Sequence, residues 1–76
     1  MTTLDHIRQG QQMMILEIPD TCPVKAMLRD FGILQGSALR CQYFSPGREL
    51  VVLEWEGTVL ALRLRELKDI TVKELA

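Results

Sequence analysis

The sequence predicts a small, mainly β domain: a partly open barrel of about five strands with one α-helix inserted near its start. Three features carry that prediction. The segment Met27-Leu28-Arg29-Asp30-Phe31-Gly32-Ile33-Leu34-Gln35-Gly36-Ser37 reads as the last turns of an amphipathic helix, a glycine stop, a tight turn on a second glycine and the entry to a strand. From Leu39 to Arg65 the chain alternates apolar and polar residues between two turn signals, the pattern of consecutive hairpins. A chain of 76 residues is also too short for two packed sheets, so it limits its exposed edges by curling one sheet on itself. The whole chain, residues 1–76, is expected to form a single domain.

Taken in order, Thr2 to Arg8 is a short lead-in whose Leu4 and Ile7 are spaced to cover one end of a core, and Gly10 breaks it. From Gln12 to Ile18 the residues alternate, with Met14, Leu16 and Ile18 on one side and Met13, Ile15 and Glu17 on the other, as in a strand with one buried face. Pro19 and Asp20 close it. Pro23 suits the first position of a helix, where its missing N–H costs nothing. Val24, Met27, Leu28 and Phe31 then form one apolar stripe over about two and a half turns, with Lys25, Arg29 and Asp30 opposite. Gly32 can take the left-handed conformation that stops a helix, and Ile33 beyond it can fold back onto the stripe.

Leu34-Gln35-Gly36-Ser37 has glycine where a type II turn requires positive φ. In the strand that follows, Leu39, Cys41 and Tyr43 alternate with Arg40, Gln42 and Phe44. Ser45-Pro46-Gly47-Arg48 is the next turn, Glu49 to Trp55 the next strand, and Glu56-Gly57 leads into Thr58 to Arg65, where Leu60, Leu62 and Leu64 share a face. Glu66-Leu67-Lys68 reads as a single helical turn before a final strand from Ile70 to Leu75.

Composition removes several classes of function. Nine basic residues against ten acidic ones leave a net charge of −1, and no cluster of lysine and arginine supplies the basic patch that nucleic-acid binding needs. No apolar run approaches the roughly 20 residues of a bilayer span, and Met1 to Gly10 lacks the apolar stretch of a signal peptide, so the chain reads as soluble and cytosolic. Cys22 and Cys41 are then expected to be reduced. His6, the lone histidine, has no serine or cysteine beside it to activate, and the sequence contains neither a P-loop nor a dinucleotide-binding glycine motif. Glu49, Glu54 and Glu56 flank one hairpin but read as its solvent face, and a salt bridge to Glu54 or Glu56 across the hairpin explains Arg63 and Arg65 as well as a binding site does. The domain is therefore expected not to be an enzyme. Metal binding would need His6, Cys22 and Cys41, Met13 and Met14, or Glu54 and Glu56 to converge, and none sits at a metal-ligand spacing.

What remains is a surface for a partner. Tyr43 and Trp55, the only tyrosine and tryptophan, belong to types enriched at binding hot spots. The polar side of the helix, with Lys25 and Arg29 and with Leu28 at its margin, is an addition to the barrel, and additions carry specificity more often than the scaffold does. We take Lys25, Leu28, Arg29, Tyr43 and Trp55 as the expected contact residues. An apolar edge residue such as Val59 also admits self-association.

The order and spacing of Leu4, Gly10, Met27-Leu28, Phe31-Gly32-Ile33, Gln35-Gly36, Ser45-Pro46-Gly47, Gly57, Leu60-Ala61-Leu62-Arg63 and Ile70-Thr71-Val72 resemble the FeoA family over nearly the whole chain. The most specific parts are Leu28 to Gly36 and the Ala61-Leu62-Arg63 strand. The resemblance implies an SH3-like barrel with an inserted helix and a non-enzymatic, cytoplasmic accessory role in bacterial ferrous iron uptake. The implied partner is the cytosolic region of the FeoB-type membrane transporter. It also implies an alternative, a small domain that binds Fe²⁺ or another transition metal, like the barrel of iron-dependent repressors; no helix-turn-helix precedes the barrel here.

Overall fold

The computed structural model describes residues 1–75. Among the described residues six strands form one antiparallel sheet: β1 (Thr2–Thr3), β2 (Gln12–Glu17), β3 (Ala38–Phe44), β4 (Leu50–Trp55), β5 (Thr58–Arg63) and β6 (Thr71–Glu74), in the order β1-β6-β2-β3-β4-β5. The helix α1 (Lys25–Asp30) is inserted between β2 and β3. The mainly β, partly open, SH3-like barrel is thus the architecture found, with one strand more than the expected five. The extra strand is β1, whose Thr2 and Thr3 pair with Val72 and Thr71. Two residues are too short to show alternation, so that strand has no sequence signal.

The inward side chains of the curled sheet meet in a single core. Met13 and Ile15 come from β2, Leu39 and Cys41 from β3, Val51 and Leu53 from β4, Leu62 from β5 and Val72 from β6. Its ends are closed by residues outside the strands: Leu4, Ile7, Cys22, Leu28, Ile33, Leu67 and Ile70. Leu4 and Ile7 cap the barrel as their spacing predicts, and a 3₁₀ turn at Leu64–Leu67 stands where a single helical turn is expected.

Two irregularities reassign residues. Between Cys41 and Tyr43 the register of β3 against β4 shifts by one, with Cys41 opposite Leu53 and Tyr43 opposite Val52. A bulge inverts the alternation beyond it, so Tyr43 is 54% exposed and Phe44 packs towards the core. Tyr43 therefore does not share the face of Leu39 and Cys41. The second correction concerns α1, which spans six residues and begins after Pro23, itself in a turn closed by a hydrogen bond from the Lys25 N–H to the Cys22 carbonyl (3.2 Å). So short a helix seats only Leu28 fully in the core, with Val24 half-buried one turn before it; Met27 and Phe31 face outward, 37% and 44% exposed.

The helix ends as its sequence dictates. Gly32 has φ +81°, the Ile33 N–H donates to the Leu28 carbonyl (2.9 Å) and the Gly32 N–H donates to the Arg29 carbonyl (2.9 Å). This is a Schellman stop, and its hydrophobic contact is Leu28 with Ile33, both buried. The type II turn follows, with a Ser37 N–H to Leu34 carbonyl bond of 3.0 Å.

The predicted ion pairs of Arg63 and Arg65 do not form. In the β4–β5 ladder Arg63 lies opposite Leu50, whereas Glu54 lies opposite Val59 at the other end of the hairpin. Glu54 instead accepts a hydrogen bond from Gln42 (3.1 Å). Among the described residues Asp20–Lys25 (2.7 Å) is the Lys/Arg ion pair, and His6 lies 3.4 Å from the Asp5 carboxylate.

Candidate functional site

The surface with the strongest claim to a function lies where the end of α1 meets the β4–β5 hairpin. The two elements touch there. The indole of Trp55, the last residue of β4, lies so close over Gly32 that a Cβ on that glycine would stand 2.9 Å from Cη2. By the two-residue period of β4, Trp55 points to the same side as Val51 and Leu53, and it packs half-buried against the core. The helix stop and the hairpin are therefore joined through an aromatic ring resting on a residue without a side chain.

Two clefts open on either side of Leu34. The first, about 200 Å³, is lined by Glu17, Ile18, Lys25, Arg29, Ile33, Leu34 and Gln35. The second, about 450 Å³ and shallower, runs from Gly32 along Leu34 to Ala38 and ends on Trp55 and Glu56. Leu34, 52% exposed, forms the ridge they share. Met27 and Phe31, one helical turn apart, add exposed apolar area on the same helix. Lys25 is held by Asp20, and that bond and the charge behind it keep the Asp20 carboxyl below its usual range. Arg29 forms no such pair among the described residues and supplies the free cation of the first cleft.

Of the five expected contact residues the structure gathers three, Lys25, Arg29 and Trp55. Leu28 is 1% exposed and cannot touch a partner; it is the residue that anchors the helix. Tyr43 sits on the outer face opposite Val52, on the other side of the sheet from Trp55, so no cleft joins the two aromatics. In their place come Met27, Phe31 and Leu34, which the sequence pattern alone puts in the apolar stripe or in a turn. Their signal is an excess of apolar residues over what a helix of six residues can bury.

The possible metal ligands are dispersed. His6 is exposed beside Asp5 and Thr3, the Cys22 thiol donates to the Glu66 carbonyl (3.7 Å), and Cys41 is fully buried between β2 and β4. Among the described residues no three His, Cys, Asp or Glu side chains come together as a metal site. Both thiols are free and buried. Burial raises the Cys41 thiol above its usual value, against smaller opposing contributions from Arg48 and a backbone hydrogen bond at Gly10. Neither thiol should therefore react with a thiol reagent in the folded protein, and both should react after denaturation. Because the folded value is raised, the contribution of Cys41 to stability should be constant below about pH 8.5 and fall as the unfolded thiol ionises above it. Denaturant titrations at about pH 7 and about pH 9.5 check this, and a Cys41→Ala variant should lose that part of the pH dependence.

The FeoA domain family's sequence profile matches residues 2–74. The chain belongs to the FeoA domain family. Solved structures of FeoA proteins superpose closely on it. A FeoA-like protein from Clostridium acetobutylicum is 24% identical over 100% of this chain and 91% of its own, with a TM-score of 0.85. FeoA from Chlorobium tepidum is 26% identical over 97% of this chain and 70% of its own, with a TM-score of 0.87. The zinc complex of Stenotrophomonas maltophilia FeoA, described as an SH3 domain protein, is 22% identical over 96% and 91%, with a TM-score of 0.76. No curated protein matches the chain. FeoA proteins are accessory, non-catalytic components of ferrous iron transport, the role that the sequence resemblance implies. No helix among the described residues is long and apolar enough to cross a membrane.

Proposed function

We propose that this FeoA-domain protein is a cytoplasmic, non-enzymatic accessory of ferrous iron uptake that docks on the cytosolic region of the FeoB-type transporter. Its contact surface is the α1 and hairpin face built from Lys25, Arg29, Leu34 and Trp55, flanked by Met27 and Phe31. One observation carries this reading. This face combines exposed large apolar side chains, an arginine outside the ion pairs of the described residues and a half-buried tryptophan around two adjoining clefts. A hot spot needs such a composition: aromatic and arginine anchors in partly desolvated pockets, ringed by groups that exclude water. Ferrous iron is the transporter's cargo in this scheme, and the protein's own donor side chains are not required to hold it.

The test is a titration of the protein against the purified cytosolic region of the transporter, with and without Fe²⁺ and guanine nucleotide. Arg29→Glu and Leu34→Asp should each weaken binding about tenfold or more, which corresponds to about 1.4 kcal/mol, while the thermal midpoint moves little. Tyr43→Ala, on the opposite face, should leave binding unchanged. Absence of binding under every condition would reject the docking role, and binding that only Tyr43→Ala weakens would reject the assigned face.

A further inference from the structure

The sheet has two ends, and they are not equally protected. One is β1, two residues long, which limits its edge by shortness. The other is β5, six residues of Thr-Val-Leu-Ala-Leu-Arg with no proline, glycine or lysine. It pairs without a bulge to β4 along its whole length, and among the described residues nothing pairs beyond it. None of the usual devices that blunt an edge strand is present except the terminal Arg63.

The ladder fixes which backbone groups point outward. The Leu64 N–H donates to the Glu49 carbonyl (3.0 Å), and Leu64 and Glu49 continue the register in which Arg63 faces Leu50. Hydrogen-bonded pairs alternate with non-bonded ones in an antiparallel ladder. Thr58, Leu60 and Leu62 therefore bond to β4, and the N–H and C=O groups of Val59, Ala61 and Arg63 point away from it. The side chains of these three residues all stand on the exposed face, and Val59 is 55% exposed. On the inner face Leu60 is only partly buried at the rim of the core.

We propose that this edge binds a second copy of the chain, β5 against β5 antiparallel, about a two-fold axis through Ala61. About that residue the strand places Leu60 and Leu62 symmetrically. With Ala61 opposite its symmetry mate, Val59 faces Arg63 of the other copy, so the three outward residues of each strand meet each other and form about six backbone hydrogen bonds. Leu60 faces Leu62 of the other copy on the inner side, which covers the half-buried rim. The only charge on the strand, Arg63, lies against an apolar residue and never against itself. A shift by two residues in either direction leaves outward groups unpaired. The contact is a backbone ladder of modest area, which makes it weak and concentration-dependent. It is independent of the docking reading, because neither α1 nor the clefts take part.

Sedimentation equilibrium of the intact protein, from about 10 µM to about 1 mM, should show the average mass rising towards twice that of the monomer. Over the same range, amide exchange followed by NMR should slow at Val59, Ala61 and Arg63, while Leu60 and Leu62, already bonded to β4, stay protected throughout. Ala61→Pro removes an outward N–H without touching the β4 ladder and should abolish the dimer. If that variant fails to fold, Val59→Lys carries the same test, because it sets two like-charged pairs across the axis and should weaken association at least about tenfold. A monomer at every concentration overturns the proposal. So does a dimer that both folded variants retain, or one whose concentration-dependent protection falls on another strand.

Discussion

Replacing Gly32 by alanine is expected to destabilise the domain by about 2–4 kcal/mol, from two separate causes acting at one atom. The residue sits at φ +81°, where a side chain costs about 1–2 kcal/mol. The new Cβ would also stand 2.9 Å from Cη2 of Trp55. The indole can give way only by lifting from the core residues it covers, so the clash adds to the strain rather than relaxing freely. Gly36 is the control. Its φ is +93°, but a Cβ there would meet no atom within 4 Å, so Gly36→Ala should show the strain alone, about 1–2 kcal/mol. In a domain of this size each kcal/mol moves Tm by about 4–8 °C, which makes the difference readily measurable. Adding Trp55→Ala to Gly32→Ala should recover the clash component, seen as a non-additive double-mutant cycle. Equal costs at Gly32 and Gly36 would show that Trp55 does not rest on the helix stop.

Most of the fold is legible in the sequence because its signals are local. The glycine that stops α1, the type II turn at Leu34–Ser37 and the two-residue turn after Trp55 each depend on a few neighbouring residues, and each is where the sequence puts it. What escapes depends on pairing between distant segments. β1 exists only because Val72 and Thr71 offer it an edge. The bulge at Cys41–Tyr43 adds a residue to β3 that nothing in its own composition announces, and it turns Tyr43 from a core-facing into a solvent-facing residue.

The candidate site is legible in part for the same reason. Lys25 and Arg29 are polar on any helix, and Trp55 falls on a strand end beside a turn, so their placement follows from local structure. Met27, Phe31 and Leu28 cannot be sorted by spacing. Periodicity says which residues share a stripe, but how much of the stripe is buried depends on how far the helix lies along the barrel. Here the Schellman stop comes after six residues and sends Ile33, not Phe31, into the core. The apolar residues left over are the ones now assigned to the docking face.

Leu28→Ala should therefore act on folding before it acts on binding. Leu28 is 1% exposed, is the only fully buried residue of α1, and packs with Ile33 across the helix stop. Truncating a leucine so placed costs about 2–5 kcal/mol. At about 0.05–0.15 kcal/mol per residue the whole domain has about 4–11 kcal/mol, roughly twice that cost. The expected result is a Tm lower by at least about 10 °C, or a protein largely unfolded at about 37 °C, with loss of transporter binding as a consequence. Phe31→Ala supplies the contrast. Phe31 is 44% exposed, so its truncation should cost less than about 1 kcal/mol while still weakening docking if the face is as assigned. Thermal melts and binding titrations on the two variants then separate anchor from contact. A Leu28→Ala protein that melts like the wild type would mean that the helix is held by the hairpin and the Trp55 contact alone.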